Sequence, residues 1–264
     1  DASDVYAYHR LPPGSLFYAP QRLRPDGFPD IARALLDLPG RIDDYVLALG
    51  ADLGFFPDPF AFVLWAWTFR DPRIFEVASW RKTKITSPAQ AAILHSIAAV
   101  CTPSIWVADA ASSGRPTVEG WHEEWVDRYK IPFLPADKHG KYTAGGPIDN
   151  FNADMLTLFD GLPRMRLREG SPLATELATV QFARVVSATG KLVEDPSIPN
   201  DTADAGLYAH RHAWHHRALP PVERPTPGSD AYYAQIEKEM RDATLRSHEE
   251  DADPPRFDLA DIGW

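Results

Sequence analysis

The sequence predicts an α/β domain with a mixed central β-sheet and helices on both faces. Three observations carry this reading. Three apolar segments of strand length, "DYVLALGA", "FAFVLWAWTF" and "RIFEVASW", follow one another across short turns that contain Asp-Pro. After them, helix-length segments opened by Ser-Pro alternate with shorter apolar segments. The first group reads as an antiparallel meander, and the second as strands and helices laid against it.

In chain order, residues 1–43 are rich in Pro and Gly and read as an extended lead-in with one short helix, Ile31 to Leu38. Strands are expected at Asp44–Ala51, Phe60–Phe69 and Arg73–Trp80. "SPAQAAILHSIAAVCTP" reads as a helix with Ser87 as N-cap and Pro88 at its first position. "SIWVADAA" is a short strand, Ser104–Ala108, that ends on Asp109. "TVEGWHEEWVDRYK" is an amphipathic helix starting near Thr117, and "IPFLPA" another short strand. "GPIDNFNADMLTLFDG" reads as a helix closed by Gly161, "RMRLRE" as a strand, and "SPLATELATVQFARVV" as a helix begun by Ser171-Pro172. A turn around Thr189-Gly190 precedes the last helix of the body, "PNDTADAGLYAHRHAWHHRA". The expected organisation is therefore a lead-in (1–43), a folded body (44–217), and a linker, polar helix and acidic tail (218–264). Three strands, a helix, a strand, a helix, a strand and a C-terminal helix is the element order of the ribonuclease H-like fold.

Composition narrows the function classes. Of 264 residues, 44% are hydrophobic, and the mean hydropathy is −0.31. No apolar run is long enough to cross a membrane, and no basic-then-apolar secretion signal opens the chain. The first residue is Asp1, as expected of an excised or processed piece. The single cysteine, Cys101, lies in an apolar helical run and reads as an inert thiol; it cannot form an internal disulfide, which suits a reducing cytoplasm. The net charge of −10 argues against a general nucleic-acid coat, but residues 218–264 carry −6 of it, leaving −4 on the body.

Three carboxylates fall at special places. Asp52 ends the first strand, Asp109 ends the fourth, and Asp204 lies in the first turn of the last body helix. Singly, each has an ordinary explanation as a turn residue, a cap or an acid at a helix N-terminus. Jointly, strands one and four can lie side by side in a mixed sheet, with the final helix crossing that edge. Three close carboxylates repel unless cations sit among them, and oxygen-only ligands suit two Mg²⁺ or Mn²⁺ ions. Such a pair serves phosphodiester hydrolysis.

The segments "LGADLGFFPDPFAFVLW", "IWVADAASSG" and "IPNDTADAGLYAHRHAW" resemble the three acidic motifs of the nuclease domain of tailed-bacteriophage terminase large subunits, on the ribonuclease H-like fold. The resemblance runs from about Tyr45 to Arg217, and "D-x-x-D-A-x-x-Y" is its most specific part. It implies a metal-dependent endonuclease that cuts concatemeric viral DNA during genome packaging in the host cell cytoplasm. Its implied partners are double-stranded DNA, the terminase ATPase motor, the portal and the small terminase subunit; no membrane is implied. By the resemblance, Asp52, Asp109 and Asp204 are the catalytic acids, with Asp52 on both metals. Asp58 either matches an auxiliary acid that could bind a metal through water or is an Asp-Pro turn residue, and Asp201 is either an outer ligand or a helix cap. Lys138 and Lys141, in "DKHGKYTAGG", are implied to touch DNA phosphates, and Arg81, Lys82 and Lys84 form a basic cluster that suits a groove rim or a protected sheet edge. The sequence departs from the family in two ways. "SATGKL" lacks the first glycine and the Ser or Thr of the G-x-x-x-x-G-K-[ST] loop of the motor, and Ala203 stands where some members have an acid. Two alternatives stay open: a resolvase- or transposase-like nuclease on the same fold, and a catalytically silent docking module of a packaging motor. His212 and His216 are four apart on a helix, a zinc-compatible spacing, but without a metalloprotease glutamate they read as helix polarity.

Overall fold

The computed structural model describes residues 4–54, 58–110, 118–183 and 194–218, with the side chains of 118–119 and 214–218 outside the description. The Thr189-Gly190 turn and the expected linker, polar helix and tail lie outside the described residues. The described residues belong to one compact unit.

The strands are β1 (Phe17–Pro20), β2 (Val46–Leu53), β3 (Phe60–Trp67), β4 (Ile74–Lys82), β5 (Ile105–Ala108), β6 (Leu134–Pro135), β7 (Leu158–Phe159), β8 (Leu162–Pro163) and β9 (Met165–Glu169). The helices are α1 (Ile31–Leu36), α2 (Ser87–Cys101), α3 (Val118–His122, continued by a π-helical Glu123–Arg128), α4 (Pro147–Leu156), α5 (Pro172–Thr179) and α6 (Asp201–Ala218). Seven strands form one sheet in the order β1-β9-β4-β3-β2-β5-β6. β2, β3 and β4 pair antiparallel, as a meander should, while β5, β6, β9 and β1 add in parallel. This is the mixed sheet that the element order predicts.

All eight side chains of β3 are buried, because this strand lies at the centre with helices on both faces. One core packs α1, α2 and α3 against Leu49, Leu53, Phe62 and Leu64, with Trp121 and Trp125. The other packs α4, α5 and α6 against Ala48, Val63 and Trp65. Trp65, Trp67, Trp106, Trp121 and Trp125 are buried in these cores. Among the described residues no helix is long and apolar enough to cross a membrane. Cys101 is half-buried, and burial pushes its thiol up to about 12.

The structure adjusts several sequence boundaries. The lead-in carries β1, an edge strand parallel to β9, and Val5, Tyr6 and Leu16 belong to the core. Arg168 ties that segment down: its buried guanidinium reaches Asp37 at the end of α1, and its backbone N–H donates to Glu76 at 2.9 Å. Gly161 does not close a helix. α4 stops at Leu156, and Asp160-Gly161 turn a two-residue hairpin between β7 and β8. Both turn residues have positive φ, 52° and 74°, which an Asp-Gly pair tolerates and a tight hairpin requires. β4 runs on through Arg81 and Lys82, so these two residues belong to the strand.

Candidate active site

β2 and β5 are parallel neighbours, with Ala51 beside Ala108. The next residues in register are Asp52 and Asp109, and the Asp109 N–H donates to the Ala51 carbonyl at 3.3 Å. Side chains alternate along a strand. Ala48, Gly50 and Asp52 therefore share the face toward α6, as do Ile105, Val107 and Asp109. Gly50 sets how close α6 comes: a Cβ there would lie 1.9 Å from the Ala205 carbonyl oxygen and 3.1 Å from the Ala209 Cβ. Only hydrogen fits, so the start of α6 rests on the β2 backbone two residues before Asp52. Trp65 of β3 fastens the same turn, donating from Nε1 to the Gly206 carbonyl at 2.9 Å. This docking brings Asp204 across from the two strand-end acids.

The electrostatics agree. Tyr208, one turn beyond Asp204, has its hydroxyl pKa pushed far up by burial and then by the charges of Asp204, Asp109, Asp52 and Glu194. One phenol thus senses all three expected acids and a fourth. Two ammonium groups from one loop answer that negative charge. Lys138 pairs with Asp109, which is 4% exposed. Lys141 lies 2.5 Å from Asp204 Oδ1 and 3.0 Å from Glu194 Oε1. Burial works against the Lys141 charge, but Asp204 and Glu194 outweigh it, so its pKa is raised. Burial and Glu194 push the Asp204 carboxyl up from the ordinary range, against Lys141. Arg211 of α6 holds the lysine loop in place, bonding the carbonyls of Asp137 and His139 at 2.7 and 3.0 Å. A cavity of about 110 Å³ opens between that loop and α6, lined by Lys138, Lys141, Asp204 and Tyr208.

No family model matches the sequence, and no curated protein matches it. Solved structures do. The large terminase nuclease of thermophilic phage G20c matches over 79% of this chain and 98% of its own, at TM-score 0.53 and 16% identity. The same nuclease with bound magnesium matches over 82% and 97%, at TM-score 0.52 and 16% identity. The large terminase of a second thermophilic bacteriophage matches over 78% of this chain at TM-score 0.53 and 12% identity, and the match spans 44% of that protein. The fold is that of the large terminase nuclease domain. Another structure of the G20c nuclease, matched at TM-score 0.52 and 15% identity, holds cobalt.

Within this terminase nuclease fold, the lysine loop joins Asp109 to Asp204 and Asp52 stands next in register beside Asp109, while Asp201 and Arg81 make contacts of their own. Asp201 opens α6 next to Arg81, which stands 3.6 Å away, and burial, with the nearby Glu176 charge, lifts the Asp201 carboxyl to about 6. Asp58 is exposed, and its charge is felt at Asp201. Arg81 pairs with the buried Glu176 at 2.8 Å, whereas Lys82 and Lys84 are exposed, Lys84 in a turn with φ 61°. Lys138 and Lys141, implied to meet phosphate, lie against the acids themselves. His212 is half-buried in α6, and the His216 side chain is outside the described residues.

Among the described residues, no three His, Cys, Asp or Glu side chains stand close enough together to hold a metal ion as they are placed. The donor chemistry nevertheless fits a hard divalent cation. The acids offer only oxygen, and Lys138 and Lys141 already supply the positive charge that such an ion would bring. Glu194 and Glu176 were not legible as site residues, because each acts through a partner distant in sequence. Tyr208 had a signal, as the Tyr of the D-x-x-D-A-x-x-Y segment.

Proposed function

We propose that this protein is a divalent-metal-dependent endodeoxyribonuclease of the terminase type, cutting concatemeric viral DNA during genome packaging. The observation that carries the proposal is the pairing of Asp109 and Asp204 with Lys138 and Lys141 of one loop, beside Asp52 where two adjacent parallel strands end. Asp52, Asp109 and Asp204 would hold two Mg²⁺ or Mn²⁺ ions, and the magnesium and cobalt bound by the G20c nuclease support that choice. When bound, such ions make a water nucleophilic near neutral pH and stabilise the leaving oxygen of a phosphodiester. The chain's own groups do the remaining work. The rigid β2 and β5 ends hold two carboxylates at fixed spacing, and the seat of α6 on Gly50 aims the third. Lys138 and Lys141 neutralise the acids before substrate arrives and lie on the loop that a phosphate backbone would meet. A phosphate contact there would position the duplex without reading its sequence. Double-stranded DNA is the substrate in this reading. An ATPase motor, portal and small subunit would deliver it in the host cytoplasm, by analogy with large terminases.

The test is conversion of supercoiled plasmid to nicked and linear forms with Mg²⁺ or Mn²⁺, abolished by chelation. Asp52→Asn removes charge but keeps shape, and is expected to lose nearly all activity with an unchanged melting temperature. Normal cutting by Asp52→Asn would disprove the assignment. A wild-type protein that never cuts would favour the docking-module alternative.

A further inference from the structure

We propose that Glu176 is a positioning residue for Asp204, an inference that rests on the nuclease reading above. The first amides of a helix have no acceptor within it. In α6 those of Thr202 and Ala203 donate to Glu176 Oε2, at 2.7 and 2.8 Å. The other oxygen, Oε1, accepts from the Thr202 hydroxyl at 2.8 Å and from Arg81 at 2.8 Å. Glu176 is 3% exposed, so this carboxylate is spent wholly on the end of α6 and on Arg81.

A helix cap normally comes from the residue just before the helix and ties the chain to itself. Here the cap comes from α5, 26 and 27 residues earlier, and its counter-charge comes from β4. The bond therefore fixes the start of α6 relative to other elements. Asp204 is the next residue after the capped Ala203. Gly50 sets the height of α6 above the sheet, and Glu176 sets its position along it. Without that anchor, the turn carrying Asp204 can slide relative to Asp52 and Asp109, which are held by strand pairing. This also gives Arg81 a role other than meeting DNA.

The experiment compares Glu176→Ala, Glu176→Gln, Arg81→Met and a stability control, Leu94→Ala, which empties part of the core on the opposite face of the sheet. Each is measured for melting temperature, for Mn²⁺ affinity by calorimetry, and for kcat and KM on plasmid. Misplacing a catalytic group by about 1 Å costs on the order of 10²-fold in rate. Glu176→Ala should lose kcat on that order and bind Mn²⁺ on the order of tenfold more weakly. Glu176→Gln keeps one oxygen for the two amides and should recover most of both losses. Leu94→Ala should melt lower yet cut with the wild-type kcat. Arg81→Met removes the strand counter-charge that holds the Glu176 carboxylate in its capping position, and tests the anchor should Glu176→Ala not fold. It should lower kcat and leave KM unchanged. Glu176→Ala with the kcat and Mn²⁺ affinity of Leu94→Ala overturns the proposal, as does Arg81→Met with raised KM and unchanged kcat. If the wild type neither binds Mn²⁺ nor cuts, the nuclease reading falls and takes this inference with it.

Discussion

Gly50 offers the sharpest test of how the site is assembled. A methyl group there would sit 1.9 Å from the Ala205 carbonyl oxygen and 2.9 Å from its carbon, both backbone atoms of a packed helix. An ordinary carbon–oxygen approach is about 3.3 Å, so α6 must lift by about 1.4 Å or β2 must bend by as much. Overpacking of this kind costs about 2–3 kcal/mol. For a domain of this size, that lowers the melting temperature by roughly 4–12 °C. A shift above 1 Å at Asp204, with Asp52 and Asp109 fixed, should cost on the order of 10²-fold in cutting. Gly206→Ala is the control. Its added methyl would meet the flexible Leu173 Cδ1 at 3.2 Å and nothing closer, and Ala also favours the helix. The assay is a thermal melt and a plasmid-nicking time course on both variants. Gly50→Ala with wild-type melting and cutting, or Gly206→Ala impaired as badly, would refute the argument that backbone contact at Gly50 places Asp204.

Two further outcomes follow from the buried charges. Lys141→Met leaves Asp204 and Glu194 facing each other without their shared cation, which should cost about 3 kcal/mol in metal-free protein; millimolar Mn²⁺ should restore more of the melting temperature in this variant than in wild type, and equal metal shifts in the two would contradict the pairing. Burial pushes the Glu76 carboxyl from 4.5 up to about 6, against hydrogen bonds from Ser79, Arg168 and Ser171. The fold therefore favours the neutral acid, and that contribution is full below pH 4.5 and lost as pH rises through 6, by about 2 kcal/mol. Melting curves from pH 4.5 to 8 should fall less steeply in Glu76→Gln than in wild type, the share of Asp201, also lifted to about 6, remaining in both; equal slopes in the two would assign the effect to other groups.

The sequence alone determined the order of elements and the ends on which the acids fall. Apolar period and Asp-Pro turns marked β2, β3 and β4, and Ser-Pro marked the starts of α2 and α5, because these signals act within a few residues of where they stand. The strand-end positions of Asp52 and Asp109 and the first-turn position of Asp204 were legible for the same reason. The hairpin at Asp160-Gly161 was open to misreading, since an Asp-Gly pair can follow a helix or turn a hairpin, and only the pairing of β7 with β8 decides. The edge strand β1 was hidden too, because Phe17–Pro20 has no period of its own and becomes a strand through β9. What the tertiary structure alone decided is which distant charges meet. Lys141 answers Asp204 and Glu194, Arg81 answers Glu176, and Glu176 caps a helix 26 residues on. Nothing local specifies such pairs. A buried charge takes whichever partner the packing brings within about 3 Å, and that choice is made when α6 settles onto the one glycine of β2 that lets it approach.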